Sequence, residues 1–265
     1  MFARKSGILQ SDKYYVKKGV NAVPRFFIDN ICGDTAVITG QDAVHIRRSL
    51  RMHVGDNLTL CDGMGNDYYC ELTALDGDEI TVKVLYCTPT ASEPSTAVTL
   101  YQGLPKGDKM DLIIQKSVEL GVAAIVPVET ARSIARVDSS EKAEKKRGRW
   151  QKIADEAAGQ SGRGILPRVT QPISFKLALE RMRMQGVPVI VFYEGGGQPI
   201  LSLIDRDSKE LAVVIGPEGG FEPSEIDQLQ KLGAKTATLG PRVLRCETAP
   251  IAALSVIMAL TGNME

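Results

Sequence analysis

The chain has 265 residues, room for one large domain or two modest ones, and its 43% hydrophobic composition is ordinary for a globular protein. Thirty-two basic and thirty-two acidic side chains cancel, so total charge announces no nucleic-acid partner. No apolar stretch approaches the roughly 20 residues of a membrane span, no apolar signal core opens the chain, and five scattered cysteines without a C-x-x-C pair argue against a disulfide framework or structural zinc.

The two histidines, His45 and His53, give a His-based metal centre or triad little material. The expectation is a cytoplasmic chain in a reducing compartment, with no membrane and no metal.

Residues 1–23 show no clear period and receive no function. From Pro24 to about Tyr86 the pattern predicts short strands: Arg25 to Asp29, Thr35 to Thr39, Asn57 to Cys61, Tyr68 to Leu75 and Glu79 to Leu85. They are rich in Val, Ile, Thr and Tyr and are separated by turn material such as Asp62-Gly63-Met64-Gly65-Asn66, which reads as a small β-barrel over 24–90. One helix, Gln41 to Leu50, interrupts it. Val44, Ile46 and Leu50 are expected to face inward, and Arg47, Arg48 and Arg51 outward. With Arg25 these arginines form a locally basic surface, either an RNA contact or a solvated face. Thr88 to Thr96, TPTASEPST, is poor in apolar side chains, carries two prolines and reads as a linker.

From residue 97 to 265 strands alternate with helices. Val98 to Gly103, Ala123 to Val128, Val187 to Tyr193, Leu211 to Ile215 and Lys235 to Leu239 predict at least five strands. Helices are expected over Asp108 to Leu120, Ser140 to Gln160, Ser174 to Gln185, from Pro223, and over Ala249 to Leu260. Such alternation implies βαβ units and a parallel sheet, whose ligands sit beyond the carboxyl ends of the strands. Three strand ends carry loops of the right chemistry: Glu194-Gly195-Gly196-Gly197, Gly216-Pro217-Glu218-Gly219-Gly220 and Gly240 to Glu247. Glycine there permits positive φ and close approach of a ligand to the backbone. A Walker loop is absent, and no strand ends in G-x-G-x-x-G, which speaks against a dinucleotide-binding enzyme. The last helix is apolar almost all round and is expected to be buried.

GPEGGF at 216–221 followed by LGPRVLRCETA at 239–249 resembles the C-terminal signature of the SPOUT superfamily of RNA methyltransferases. With Lys109-Met110-Asp111, Gln115 to Val122, Arg132-Ser133, Arg149-Trp150 and Glu156 to Arg163 in order upstream, the likeness narrows to the ribosomal RNA small subunit methyltransferase E family. That resemblance implies a deep trefoil knot in the α/β half, a PUA-like RNA-binding domain before it, and a homodimer. It also implies S-adenosylmethionine as cofactor and methylation of N3 of a uridine in 16S rRNA within the small ribosomal subunit. A related enzyme acting on tRNA or on a ribose 2′-oxygen is the alternative, and a non-catalytic RNA-binding protein the other.

Under the family reading, Glu194, Gly195, Gly216, Pro217, Glu218, Gly219, Gly220, Leu239, Gly240, Leu244 and Arg245 are the cofactor candidates. Arg132, Arg242 and Arg245 are candidates to hold developing charge on the uracil oxygens or to clamp RNA, since arginine cannot act as a base. Glu247 or Glu218 is the candidate base; for Glu247-Thr248 the alternative is a cap on the last helix. Gln160, Ser161 and Arg163 are candidate RNA contacts by the same resemblance, and Trp150 reads as a core or interface anchor rather than a stacking platform.

Overall fold

A computed structural model describes residues 23–28, 31–136 and 138–265. Apart from Val23, the N-terminal extension lies outside these residues, as does Asp29 at the expected end of the first strand. The N-terminal part contains β1 (Arg25–Phe27), β2 (Thr35–Ile38), α1 (Gly40–Val44), β3 (Asn57–Cys61), β4 (Asn66–Asp76) and β5 (Glu79–Pro89). They form one sheet in the order β1-β3-β4-β5-β2, with β1 parallel to β3 and the other pairs antiparallel. Edges remain at β1 and β2, so the sheet is a half-barrel rather than a closed barrel. Leu58, Leu60, Leu72, Ile80 and Val82 are fully buried on its inner face, and Ala43 and Ile46 close it.

The helix expected over 41–50 is corrected by the structure. After the short α1 the chain makes a π-helical turn over His45–Ser49, whose i→i+5 bonding puts more residues in each turn and changes the phase of the side chains. Ala43 and Ile46 therefore point inward, whereas Val44 and Leu50, expected to be inside, are 42% and 39% exposed. β5 also runs past its expected end and takes Thr88 and Pro89 from the linker, with proline at its last position, where a sheet tolerates it.

The C-terminal part contains β6 (Ala97–Gly103), α2 (Lys109–Glu119), β7 (Ala124–Glu129), α3 (Ser140–Gln160), β8 (Arg168–Val169), β9 (Ile173–Ser174), α4 (Phe175–Gln185), β10 (Val189–Phe192), β11 (Gln198–Pro199), β12 (Glu210–Ile215), α5 (Pro223–Lys231), β13 (Lys235–Thr238) and α6 (Thr248–Leu260). Its strands form a parallel sheet in the order β11-β13-β10-β12-β6-β7-β8, with β9 also paired to β7. The apolar run of β12 explains why this sheet is covered on both faces. Leu211, Val213 and Ile215 join the core with α2, α3 and α6, while Ala212 and Val214 join the opposite core with α4 and α5. Each large aliphatic side chain buried this way contributes about 1.5–3 kcal/mol. Trp150, 4% exposed, is a core anchor as its type suggests.

β10 and β11 follow each other in sequence, yet β13 lies between them in the sheet. The connection over 193–197 therefore crosses β13, closely enough that a Cβ on Gly197 would stand 2.7 Å from the backbone nitrogen of Ala237. This is the kind of crossing that a knotted chain requires.

The two parts are joined by more than the connecting segment. Gly65 donates its N–H to the Gly164 carbonyl at 2.9 Å, and Met64 and Ile165 form a β-bridge. Arg163, only 4% exposed, makes a bidentate pair with Glu93 at 2.9 Å and donates to the carbonyls of Val118 and Val122. Glu93 also accepts the N–H groups of Gly164 and Ile165. Thr90 donates its N–H to the Gly65 carbonyl at 2.8 Å, so the expected linker is pinned to both halves.

Candidate active site

The loops after β10, β12 and β13 converge, as the open-sheet rule demands, at the carboxyl ends of their strands. Between them lies a cavity of about 430 Å³, within the size range of small-ligand sites. Phe192, Ile215, Leu239 and Leu244 supply apolar wall, and the glycine-bearing turns expose backbone.

The sequence of the middle loop dictates its shape. Gly220 adopts φ +64° and closes a turn by donating its N–H to the Pro217 carbonyl at 2.9 Å. A Cβ at Gly220 would lie 2.2 Å from Glu194 Oε1, so the carboxylate of one loop rests on the bare backbone of another. At the end of β6, a Cβ on Gly103 would stand 2.5 Å from Pro217 N, and buried Gln102 donates to the Gly216 carbonyl at 3.3 Å. Beyond the turn, Pro223 starts α5, and the buried Glu225 accepts the N–H groups of Glu222 and Ala131 at 3.0 and 2.8 Å. That carboxylate fastens the 130–133 turn to the loop.

Most of the expected cofactor residues line the cavity: Glu194, Gly216, Pro217, Glu218, Gly220, Leu239, Gly240, Leu244 and Arg245. Gly195 and Gly219 do not; a Cβ on Gly195 would meet the Tyr193 ring, and one on Gly219 would meet the Arg132 side chain. Arg242 and Arg245 stand at the exposed lip with Val243, which is 84% exposed, between them. Arg132 sits on the outer side of the middle loop, donating to Glu222 at 2.8 Å and to the Gly219 carbonyl at 2.9 Å.

Glu247 lies just behind the lining, and its side chain makes no cap hydrogen bond to α6, so the capping alternative is not realised. Its Oε2 accepts from the Cys246 thiol at 3.2 Å and faces Lys109 Nζ at 3.5 Å. Lys109 also pairs with Glu218 at 2.9 Å. Burial pulls both carboxyls upward, but hydrogen bonds and the Lys109 charge outweigh it and hold each below the usual carboxylate range. Burial, then the neighbouring carboxylates, push the Cys246 thiol up to about 12, which leaves it inert. Lys109 and Cys246 carry no role in the sequence reading. The only signal for Lys109 is its place at the head of the Lys109-Met110-Asp111 stretch.

Three arginines expected at an RNA surface are placed elsewhere. Arg163 is sealed in the junction, which accounts for its burial and leaves nothing for a ligand. The Arg25 guanidinium donates to the Arg163 carbonyl and to Asp67, and stands over the Phe27 ring. Arg47, half-buried, donates to the carbonyls of Leu75 and Gly77 and holds the β4–β5 turn. Arg48 and Arg51 are exposed as expected, Arg51 in the left-handed region at φ 53°. Among the described residues no cluster of three or more metal-ligating side chains occurs, and no helix is long and apolar enough to cross a membrane.

A parallel α/β sheet with a cavity at its strand ends, joined to a β half-barrel, makes this chain an RNA methyltransferase once the family matches are set beside it. The family model for an RNA methyltransferase domain matches residues 92–258, and that for an RNA methyltransferase PUA domain matches 38–85. The chain belongs to the ribosomal RNA small subunit methyltransferase E family. Its similarity to the Bacillus subtilis protein of that name is 41% identity over 230 residues, covering 84% of this chain and 89% of the relative. A solved family member from Neisseria gonorrhoeae, bound to S-adenosyl methionine, superposes with a TM-score of 0.78 at 34% identity, covering 90% of this chain and 98% of that one. A methyltransferase from Legionella pneumophila with the same bound cofactor gives 0.76 at 30% identity over 90% and 98%.

Proposed function

We propose that the chain transfers a methyl group from S-adenosylmethionine to N3 of a uridine in 16S rRNA within the small ribosomal subunit. The observation that carries this reading is the meeting of three glycine-bearing strand-end loops on one cavity with Arg242 and Arg245 at its open lip. The cofactor-bound Neisseria and Legionella relatives support it. The cavity fits the cofactor's chemistry: apolar walls and exposed backbone suit a nucleoside, and Glu194 and Glu218 suit a positive charge.

When bound, S-adenosylmethionine supplies an electrophilic methyl group on a sulfonium. The chain's own residues have two tasks. Backbone of 216–220 and 239–245 grips the nucleoside and excludes water, and the lip arginines hold the target base. Uracil N3 has no free lone pair until its proton leaves, so charge develops on O2 and O4, where Arg245 and Arg242 stabilise it. The N3 proton passes to solvent, because the carboxylate oxygens of Glu218 and Glu247 are already engaged by Lys109, the Lys106 N–H and the Cys246 thiol. Arg132 positions the middle loop through Gly219. Residues 24–90 form the RNA-binding unit, with Arg48 and Arg51 toward phosphate, and 97–265 the catalytic unit. Two copies pair through the outer face of α6.

The test is purified protein, labelled S-adenosylmethionine and small subunits from cells lacking this activity, read by nucleoside mass spectrometry. The expected product is 3-methyluridine in 16S rRNA. A 2′-O-methyl nucleoside, or label in tRNA alone, overturns the reading.

A further inference from the structure

The charged groups around the cavity are nearly balanced. Lys109, Arg242 and Arg245 line it with Glu194 and Glu218, and Glu247 stands immediately behind. Within this set Lys109 is unusual. It reaches in from the first turn of α2 and pairs with a carboxylate from the loop after β12 and another from the loop after β13, at 2.9 and 3.5 Å. Among the described residues it is the only ammonium or guanidinium within ion-pair distance of either glutamate. Glu218 is steadied further by the Lys106 N–H at 3.1 Å, so the three groups are held by three separate segments.

We propose that Lys109 is a positioning residue that acts as a charge-balancing clamp: its one ammonium ties two walls of the pocket together and offsets one of the two negative charges that Glu218 and Glu247 carry. The proposal rests on the methyltransferase reading and extends it to how the pocket treats charged donor and neutral product. A methyl group leaving a sulfonium discharges that centre. Carboxylates left bare beside it would hold the charged ground state more tightly than the transition state, which strengthens donor binding without speeding transfer. They would also widen the gap between donor and product affinity. One uncompensated charge near the donor in a half-solvated site shifts a dissociation constant on the order of 3- to 10-fold.

The experiment is calorimetric titration of the full chain with S-adenosylmethionine, S-adenosylhomocysteine and sinefungin, whose amine replaces the sulfonium. Wild type, Lys109→Met, Lys109→Arg and Glu218→Gln are compared. The quantity read is the ratio of the homocysteine product's Kd to the methionine donor's. Lys109→Met should raise that ratio about 3- to 10-fold even if both ligands bind more weakly, because the clamp is lost as well as the charge. Glu218→Gln should lower it, Lys109→Arg should restore it, and sinefungin should follow the donor. A purely structural lysine would weaken all ligands alike. Ratios within twofold of wild type in both Lys109→Met and Glu218→Gln overturn the clamp. Should Lys109→Met fail to fold, the direction of change in Glu218→Gln decides by itself. Wild-type protein that binds none of the three overturns the methyltransferase reading, and the clamp with it.

Discussion

Glu247 illustrates how a side chain's neighbours decide its chemistry. A carboxylate that accepts from the Cys246 thiol and faces the Lys109 ammonium is ionised at neutral pH, yet those same partners lower its appetite for a proton. A true general base contributes about 10²- to 10⁴-fold to the rate. Glu247→Gln is therefore expected to cost less than about tenfold and to keep the alkaline rise of the methylation rate. Loss of that limb, with a drop beyond about 100-fold, would make Glu247 the base after all. At this scale the glycine turns were legible because positive φ and close approach leave a mark in composition: Gly216, Gly220 and Gly240 reach the cavity as their loops suggest. Lys109 was not, since its partners are more than a hundred residues away and a lysine opening a helix looks like any solvated one. Arg163 misleads for the opposite reason: an arginine after Ser161-Gly162 reads as surface, and only the folded chain brings Glu93 to it.

The segment carrying Arg163 is also the element that joins the halves. Glu93 and Arg163 are 15% and 5% exposed at the side chain, and removing one partner leaves the other's charge buried. Arg163→Ala should destabilise the chain by about 3–5 kcal/mol, measured by urea unfolding at pH 7. The pH dependence has a definite sign. Burial opposes ionisation of Glu93, but the Arg163 hydrogen bonds prevail and hold its folded pKa below the ordinary 4.5. Its contribution is therefore full above about 4.5 and is lost as pH falls through the lower, folded value. Wild type should lose stability over that acid window, and Glu93→Gln, already deprived of the charge, should lose less. Long periodic elements such as α3 and β12 followed from the sequence nearly residue for residue. The two-residue strands β8, β9 and β11 did not, because two residues carry no period, and the π-helical turn at His45–Ser49 breaks the 3.6-residue phase on which the inward set was assigned.

For the molecule as a whole, α6 divides its surface. Pro250, Ala253, Leu254, Ile257 and Met258 are buried against the rest of the domain. Ile251, Ala252 and Ser255 are only half-buried and Ala259 is exposed, although the helix is apolar almost throughout. Were that outer face a subunit contact, sedimentation equilibrium should give a dimer for wild type, and Ile251→Glu should shift it to monomer by burying an unpaired carboxylate. A monomeric wild type at micromolar concentration would refute the pairing. The order of secondary structure was readable from alternating patterns, whereas the seating of β13 between β10 and β11 was not, because hydropathy specifies faces and never neighbours.

That seating constrains how the chain can reach its native state. The gap that β13 fills is framed by β10, the 193–197 connection and β11, all of which precede it in the chain. The binding cavity takes its third wall from the loop following β13, so a chain cut before that loop would lack Leu239 to Arg245 and with them one side of the nucleoside site.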